Sequence, residues 1–207
     1  MPPLLVNHAA MANIGRVGCL DLRYRHEGTR TILATSRCST PWHFFPPAYL
    51  DDSGCAVTSL VNPSGGFVAG DALSIHAVLE EGAHVVMTTP SANRVYRSLG
   101  EESKQSVSLS VAPGAVIEWF PEITIPFAGS RFVQTMAVTL AKGATALVWD
   151  SLASGRVARG ERWAFTSLHN EIDLTTASGA RLLERYHVGL EQEQTGFGLL
   201  SPYDYVA

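Results

Sequence analysis

With 207 residues, 46% of them hydrophobic and 16% charged, the chain has the composition of an ordinary globular protein and is not a disordered polymer. A formal net charge of -4 offers no basic excess, so nucleic acid is not an expected partner. No apolar run approaches the about 20 residues that cross a bilayer, so no membrane partner is expected.

The opening stretch, MPPLLVNHAAMANIGR, lacks a basic segment followed by a sustained apolar run. It makes a poor signal peptide, and cytoplasmic residence is the expectation. Residues 1–13 carry no periodic pattern and read as a loose tail, with a single β domain expected over residues 14–207. Cys19, Cys38 and Cys55 are odd in number and show no CxxC spacing, which suits reduced thiols rather than a disulfide frame or a zinc site.

Strand character starts near Ile14. Leu20, Leu22 and Tyr24 alternate with polar residues, Glu27-Gly28 makes a turn, and Thr31-Ile32-Leu33 resumes the strand. Residues 39–49, STPWHFFPPAY, hold three prolines, which forbid a helix interior or a central strand, so a packed extended loop is expected.

An internal repeat decides the fold class. Gly82, Gly114 and Gly143 are each followed by alanine. Seven, five and three residues before them stand Ile75, Ala77, Leu79; Val107, Leu109, Val111; and Met136, Val138, Leu140. A fourth copy at Gly179 carries Ile172, Leu174 and Thr176, and the unit at Gly28 reads as a fifth, shifted by one residue. Period-two spacing puts each triplet on one face of a strand. The units are read as hairpins whose turn glycine takes a positive φ. One hairpin cannot bury its own face, but several stacked at roughly 30-residue steps share a core. The expectation is a mainly β chain of stacked antiparallel hairpins in layered sheets or a β-helix-like winding. A β-sandwich with look-alike hairpins is the alternative. Short helices are expected within Ala153–Arg162 and Leu190–Gln194.

The middle of residues 60–98 recurs, whereas its two ends do not, which makes the ends the candidate functional segments. The bend NPSGGFVAGD, Asn62–Asp71, lacks the spacing of a phosphate-binding loop and is followed by a strand. Asp71 either caps this turn or faces a polar interior. The segment PSANRVYRS exposes Arg94, Tyr96 and Arg97, residue types enriched at protein interfaces, against a bland reading as a solvated loop. None of the seven histidines forms an HxH, an HExxH or a histidine–cysteine pair, so no permanent tetrahedral metal site is expected. Glu118, Glu122 and Asp150 lie beside Trp119, Pro121 and Trp149, and stacking could align these acids at one edge, where oxygen donors would bind divalent ions weakly. Ordinary strand-end solvation is the alternative. No serine elbow or other nucleophile stands out. A carbohydrate-binding β-module using Trp42, Trp119, Trp149 and Trp163 as stacking platforms is the second functional reading, and a metal-dependent hydrolase using the acids the third.

Four blocks in order carry a family resemblance: SGGFVAGD at 64–71, TTPSANRVYRS at 88–98, GAVIEWFPEITIPFAGSRF at 114–132 and ALVWDSLASGRVARGERWAF at 146–165. Together they resemble the urease accessory protein UreD family, called UreH in some organisms. The resemblance implies a non-enzymatic chaperone with a mainly β fold. It would bind apo-urease with UreF and the GTPase UreG and assist nickel insertion, with no permanently bound cofactor and nickel handled in transit. Asp71, Glu118, Glu122 and Asp150 become candidates for a nickel route, and Arg94, Tyr96, Arg97, Arg156 and Arg159 for partner binding. The family continues past Ala207, so the β domain is expected to be truncated at its C-terminus.

Overall fold

The computed structural model describes residues 15–189 and 203–207, so the expected tail at 1–13 and helix at 190–194 lie outside the described residues. In chain order come β1 (Val17–Glu27), β2 (Arg30–Cys38), β3 (His43–Phe44) and β4 (Ala56–Val61). Next are β5 (Ala72–Leu79), β6 (His84–Thr88), β7 (Asn93–Val95), β8 (Ser103–Val111), β9 (Val116–Phe120) and β10 (Thr124–Pro126). Then follow β11 (Arg131–Leu140), β12 (Thr145–Val148), β13 (Leu152–Ala153), β14 (Ser167–Thr176), β15 (Arg181–Gly189) and β16 (Tyr205–Val206). A single turn of 3-10 helix, Val157–Arg159, falls inside the first expected helical stretch.

The strands wind as a β-solenoid with three faces. One face is a seven-stranded sheet in the order β15-β14-β11-β8-β5-β1-β2; the others hold five strands, β12-β9-β6-β4-β3, and four, β16-β13-β10-β7. A coil runs from the first face to the second and then the third, as in β5, β6 and β7, before returning to the first.

The repeat residues meet one another across this ladder. Ile75 pairs with Val107, Val107 with Met136, and Met136 with Ile172. Leu79, Val111, Leu140 and Thr176 form a parallel row, and the shifted fifth copy joins through Leu20↔Ile75, Leu22↔Ala77 and Tyr24↔Leu79. The mainly β, helically wound expectation therefore describes the molecule.

The pairing inside each inner unit differs from the hairpin expectation. The strands flanking Gly82, Gly114 and Gly143 lie in two different sheets, and each pairs in parallel with the next coil. The units at Gly28 and Gly179 are true antiparallel hairpins. All five glycines take a positive φ, between 63 and 81°. Period-two alternation fixes which face a residue occupies but not which strand it bonds to, so arch and hairpin read alike. The second arms of the two central arches, β6 and β9, alternate buried and half-buried, whereas β12 in the third arch and β15 in the last hairpin have no buried residue.

The core lies between the faces. Leu73, Ile75, Leu79, Leu109 and Val138 point into it from the first sheet, and Val85, Met87, Ile117 and Trp119 from the second. Burying each such side chain stabilises by roughly 1.5–3 kcal/mol. The proline-rich segment 39–49 opens on a turn at Thr40-Pro41, continues through β3 and a bridge from Ala48 to Val57, and buries Trp42, so the expected extended loop holds only after the turn.

Candidate functional site

The two non-repeating ends of residues 60–98 pack on each other. The Phe67 N–H donates to the Arg94 carbonyl at 2.8 Å, and the Tyr96 N–H donates to the Phe67 carbonyl at 2.9 Å. Asn62 ties the bend internally, its amide donating to the Gly66 carbonyl at 3.0 Å. Gly66 has φ 153°, and a Cβ there would lie 2.3 Å from the Arg94 carbonyl oxygen. A backbone atom cannot move aside cheaply. Gly66→Ala is expected to destabilise by roughly 1–3 kcal/mol, read as a lower midpoint in thermal unfolding.

Asp71 is fully buried and takes the first of its two expected roles, the turn cap. Its Oδ2 accepts the Val68 N–H at 3.0 Å, which caps the turn. Its carboxylate also receives the Arg16 N–H at 2.9 Å, Arg16 Nε at 3.2 Å and Arg16 Nη2 at 3.0 Å. Arg16 Nη1 reaches the Ser64 hydroxyl as well, so one arginine fastens both ends of the bend. Sequence reasoning missed Arg16: 55 residues separate it from Asp71, and no spacing signals that contact. An open cavity of about 460 Å3 lies beside Asp71, lined also by Glu101, Glu102, Lys104 and Arg131.

The partner-binding candidates form a partly ordered patch. Arg94 and Arg97 are exposed, and the Arg97 stem lies against Gly129. Tyr96 is half-buried, donates its hydroxyl to the Gly65 carbonyl at 3.2 Å, and meets Phe127 edge-on at 5.1 Å between centroids. The Arg156 guanidinium covers Phe127 at 4.2 Å, in cation–π range. Arg156 Nε also donates to Glu161 Oε2 at 2.8 Å, and the same oxygen accepts the Ala128 N–H at 3.1 Å. The Arg156 hydrogen bonds, followed by the Ala128 N–H, hold the Glu161 carboxyl below the usual range. Phe127 thus joins Tyr96 to Arg156, and Glu161 ties Arg156 to the Ala128 backbone; sequence reasoning missed both residues. Both lie inside conspicuous blocks, but nothing in their spacing marks the contact. Arg159 is exposed on the 3-10 turn.

The candidate acids do not converge. Glu118 sits on the outer face of the five-stranded sheet, its Oε1 2.7 Å from His84 Nε2. Glu122 is exposed at a coil corner, where its N–H donates to the Thr89 hydroxyl at 2.9 Å. Asp150 occupies the corresponding corner of the next coil, where the Thr124 N–H donates to the Ser151 carbonyl. Its carboxylate turns inward, and Oδ2 accepts Asn170 Nδ2 at 2.9 Å and Gln134 Nε2 at 3.1 Å. Gln105, Gln134, Asn170 and Tyr186 are consecutive cross-strand partners, making a polar row on the inner face. Burial raises the Asp150 carboxyl above the usual range, and burial followed by the Asp150 charge raises the Tyr186 phenol. The gap among Gln134, Asp150, Asn170 and Tyr186 is about 10 Å3, on the order of one water.

The tryptophans do not form a common platform. Trp42 and Trp119 are buried, Trp163 packs against Phe165 at 6.0 Å, and Trp149 stands 51% exposed. Among the described residues, no helix is long and apolar enough to cross a membrane.

Fold and site define a three-sided β-solenoid that carries a bend clamped by an ion pair and an arginine–aromatic surface patch. The family model described as UreD urease accessory protein matches residues 16–207. The chain belongs to the UreD urease accessory protein family, and that membership supports a role in urease maturation. It is 38% identical over 148 residues to the urease accessory protein UreD of Delftia acidovorans, covering 71% of this chain and 48% of that one. Against the Klebsiella aerogenes protein of the same name the identity is 34% over 169 residues, covering 82% and 62%. For that of Deinococcus radiodurans it is 35% over 193 residues, covering 93% and 69%. The chain thus spans about half to two thirds of the length of these relatives.

Proposed function

We propose that this chain is a non-enzymatic scaffold of urease maturation, working in the cytoplasm, which binds apo-urease together with UreF and UreG and assists nickel insertion. The observation that carries the reading is the family match over residues 16–207. Arg94 and Arg97, exposed beside the Tyr96–Phe127–Arg156 stack, supply a protein-binding surface with rigid aromatic backing, and Arg159 extends it. Nickel is the cargo, and the chain needs no resident cofactor. Of the four acids, Asp150 with Gln134 and Asn170 is the best candidate contact on an inner route. Glu118 and Glu122 would meet the ion outside the solenoid, and Asp71 is held by Arg16. Oxygen donors bind such an ion loosely enough to release it.

Co-expression with UreF and apo-urease, followed by affinity capture, tests the assembly. Arg94→Ala combined with Arg97→Ala is expected to reduce co-purification about tenfold or more, while the thermal midpoint hardly moves. Wild-type chain that captures neither partner defeats the scaffold reading. Undiminished capture by the double variant removes the patch from it.

A further inference from the structure

The outer face of the seven-stranded sheet carries a second constellation, away from the bend, the patch and Asp150. Among the described residues, Cys19, Asp21 and His76 form one group whose potential ligand atoms all lie within 4.8 Å of one another. Cys19 and Asp21 are two apart on β1 and therefore share its outward face, since Leu20 and Leu22 between and beyond them are buried. Asp21 is the parallel Cα partner of His76 on β5, which brings the imidazole alongside from 55 residues further on. The Cys19 thiol already donates to Asp21 Oδ1 at 3.3 Å.

We propose that Cys19, Asp21 and His76 form an exchangeable site for a borderline divalent ion of the zinc, nickel or cobalt type. The donor set identifies the class: thiolate and imidazole select such ions over magnesium or calcium, and the carboxylate adds charge. On binding, the Cys19 proton leaves to solvent, the sulfur takes its place on the ion, and thiolate with carboxylate neutralises the two positive charges. His76 is exposed and the other two are half-buried, so the ion is reachable from outside. Three protein donors leave one tetrahedral position for water or a donor from another molecule. Rigid strand backbones hold the donors, but Arg37, opposite Asp21 on β2, opposes a cation and keeps the binding reversible. No short motif encodes the site: the parallel pairing of β1 with β5 creates it.

The proposal concerns metal binding by this chain alone and stands apart from the maturation role. Cobalt(II) titrated into the purified full chain is expected to give a near-ultraviolet thiolate-to-metal band that saturates, and excess zinc(II) should remove it. Cys19→Ser should abolish the band. Asp21→Asn and His76→Ala should each weaken cobalt binding by about tenfold or more, and Cys38→Ser should leave it unchanged. The exposed His76 can be replaced without opening the core, so its variant reads binding even if Cys19→Ser folds poorly. Absence of a band in the wild type, or a band that persists in a folded Cys19→Ser chain or requires Cys38, overturns the site.

Discussion

Asp71→Ala is expected to lower the free energy of unfolding by about 3 kcal/mol, measured by urea denaturation. The carboxylate is wholly buried and accepts four hydrogen bonds, three from Arg16 and one from the Val68 N–H. Truncation leaves the Val68 donor without its partner and releases the arginine that also holds Ser64. Arg16 is 36% exposed, so its freed charge stays hydrated, which places the loss at the low end for a broken buried pair. Asp71→Asn still offers an acceptor to Val68, and a smaller loss of about 1–2 kcal/mol is expected. A loss under about 1 kcal/mol for Asp71→Ala would show that the bend holds without the clamp. The carboxylate is therefore a structural clamp of the bend. Reduced urease activation by that variant would therefore report a damaged bend and could not be read as blocked ion transit.

The winding itself was legible because one residue type punctuates it. Glycine at the arch and apolar residues seven, five and three places before it are forced by backbone geometry and burial, and aligning them reproduced the observed ladder Ile75–Val107–Met136–Ile172. The choice between arch and hairpin was not legible from the first arm, where the alternation is identical. Nor was it legible in the second: β6 reads His84-Val85-Val86-Met87-Thr88, without alternation, and β12 of the third arch has no more buried residues than β15 of the last hairpin.

The site was harder for a physical reason: its contacts join residues far apart in the chain. Arg16 meets Asp71, Phe127 stacks between Tyr96 and Arg156, and Asp21 lies beside His76 only because of sheet register. One interior signal could have been found. Two places before the apolar triplets, the same glycine alignment gives Leu73, Gln105, Gln134 and Asn170. Period two puts this position on the buried face, so a switch from leucine to amides announces polar company inside, and Asp150 supplies it.

Asp150→Asn is the variant that separates stability from the proposed cargo handling. Burial raises the folded-state pKa of this carboxyl above its unfolded value, so the native state holds the proton more tightly than the unfolded chain does. The sign follows: the charged carboxylate disfavours folding at neutral pH, and that penalty fades as pH falls through the raised pKa towards the unfolded value of about 3.9. Asparagine keeps the shape and an oxygen for the Gln134 and Asn170 amides, without the charge. Melting at neutral pH should therefore be unchanged or higher, and the gain in relative stability on mild acidification should disappear from the variant. Urease activation in cells co-expressing the maturation partners should fall about tenfold, because the amide oxygen is a far weaker nickel ligand than a carboxylate. Full activation by a folded Asp150→Asn chain would exclude Asp150 from the route, whereas a marked loss of stability at neutral pH would mean that the buried charge holds the polar row together.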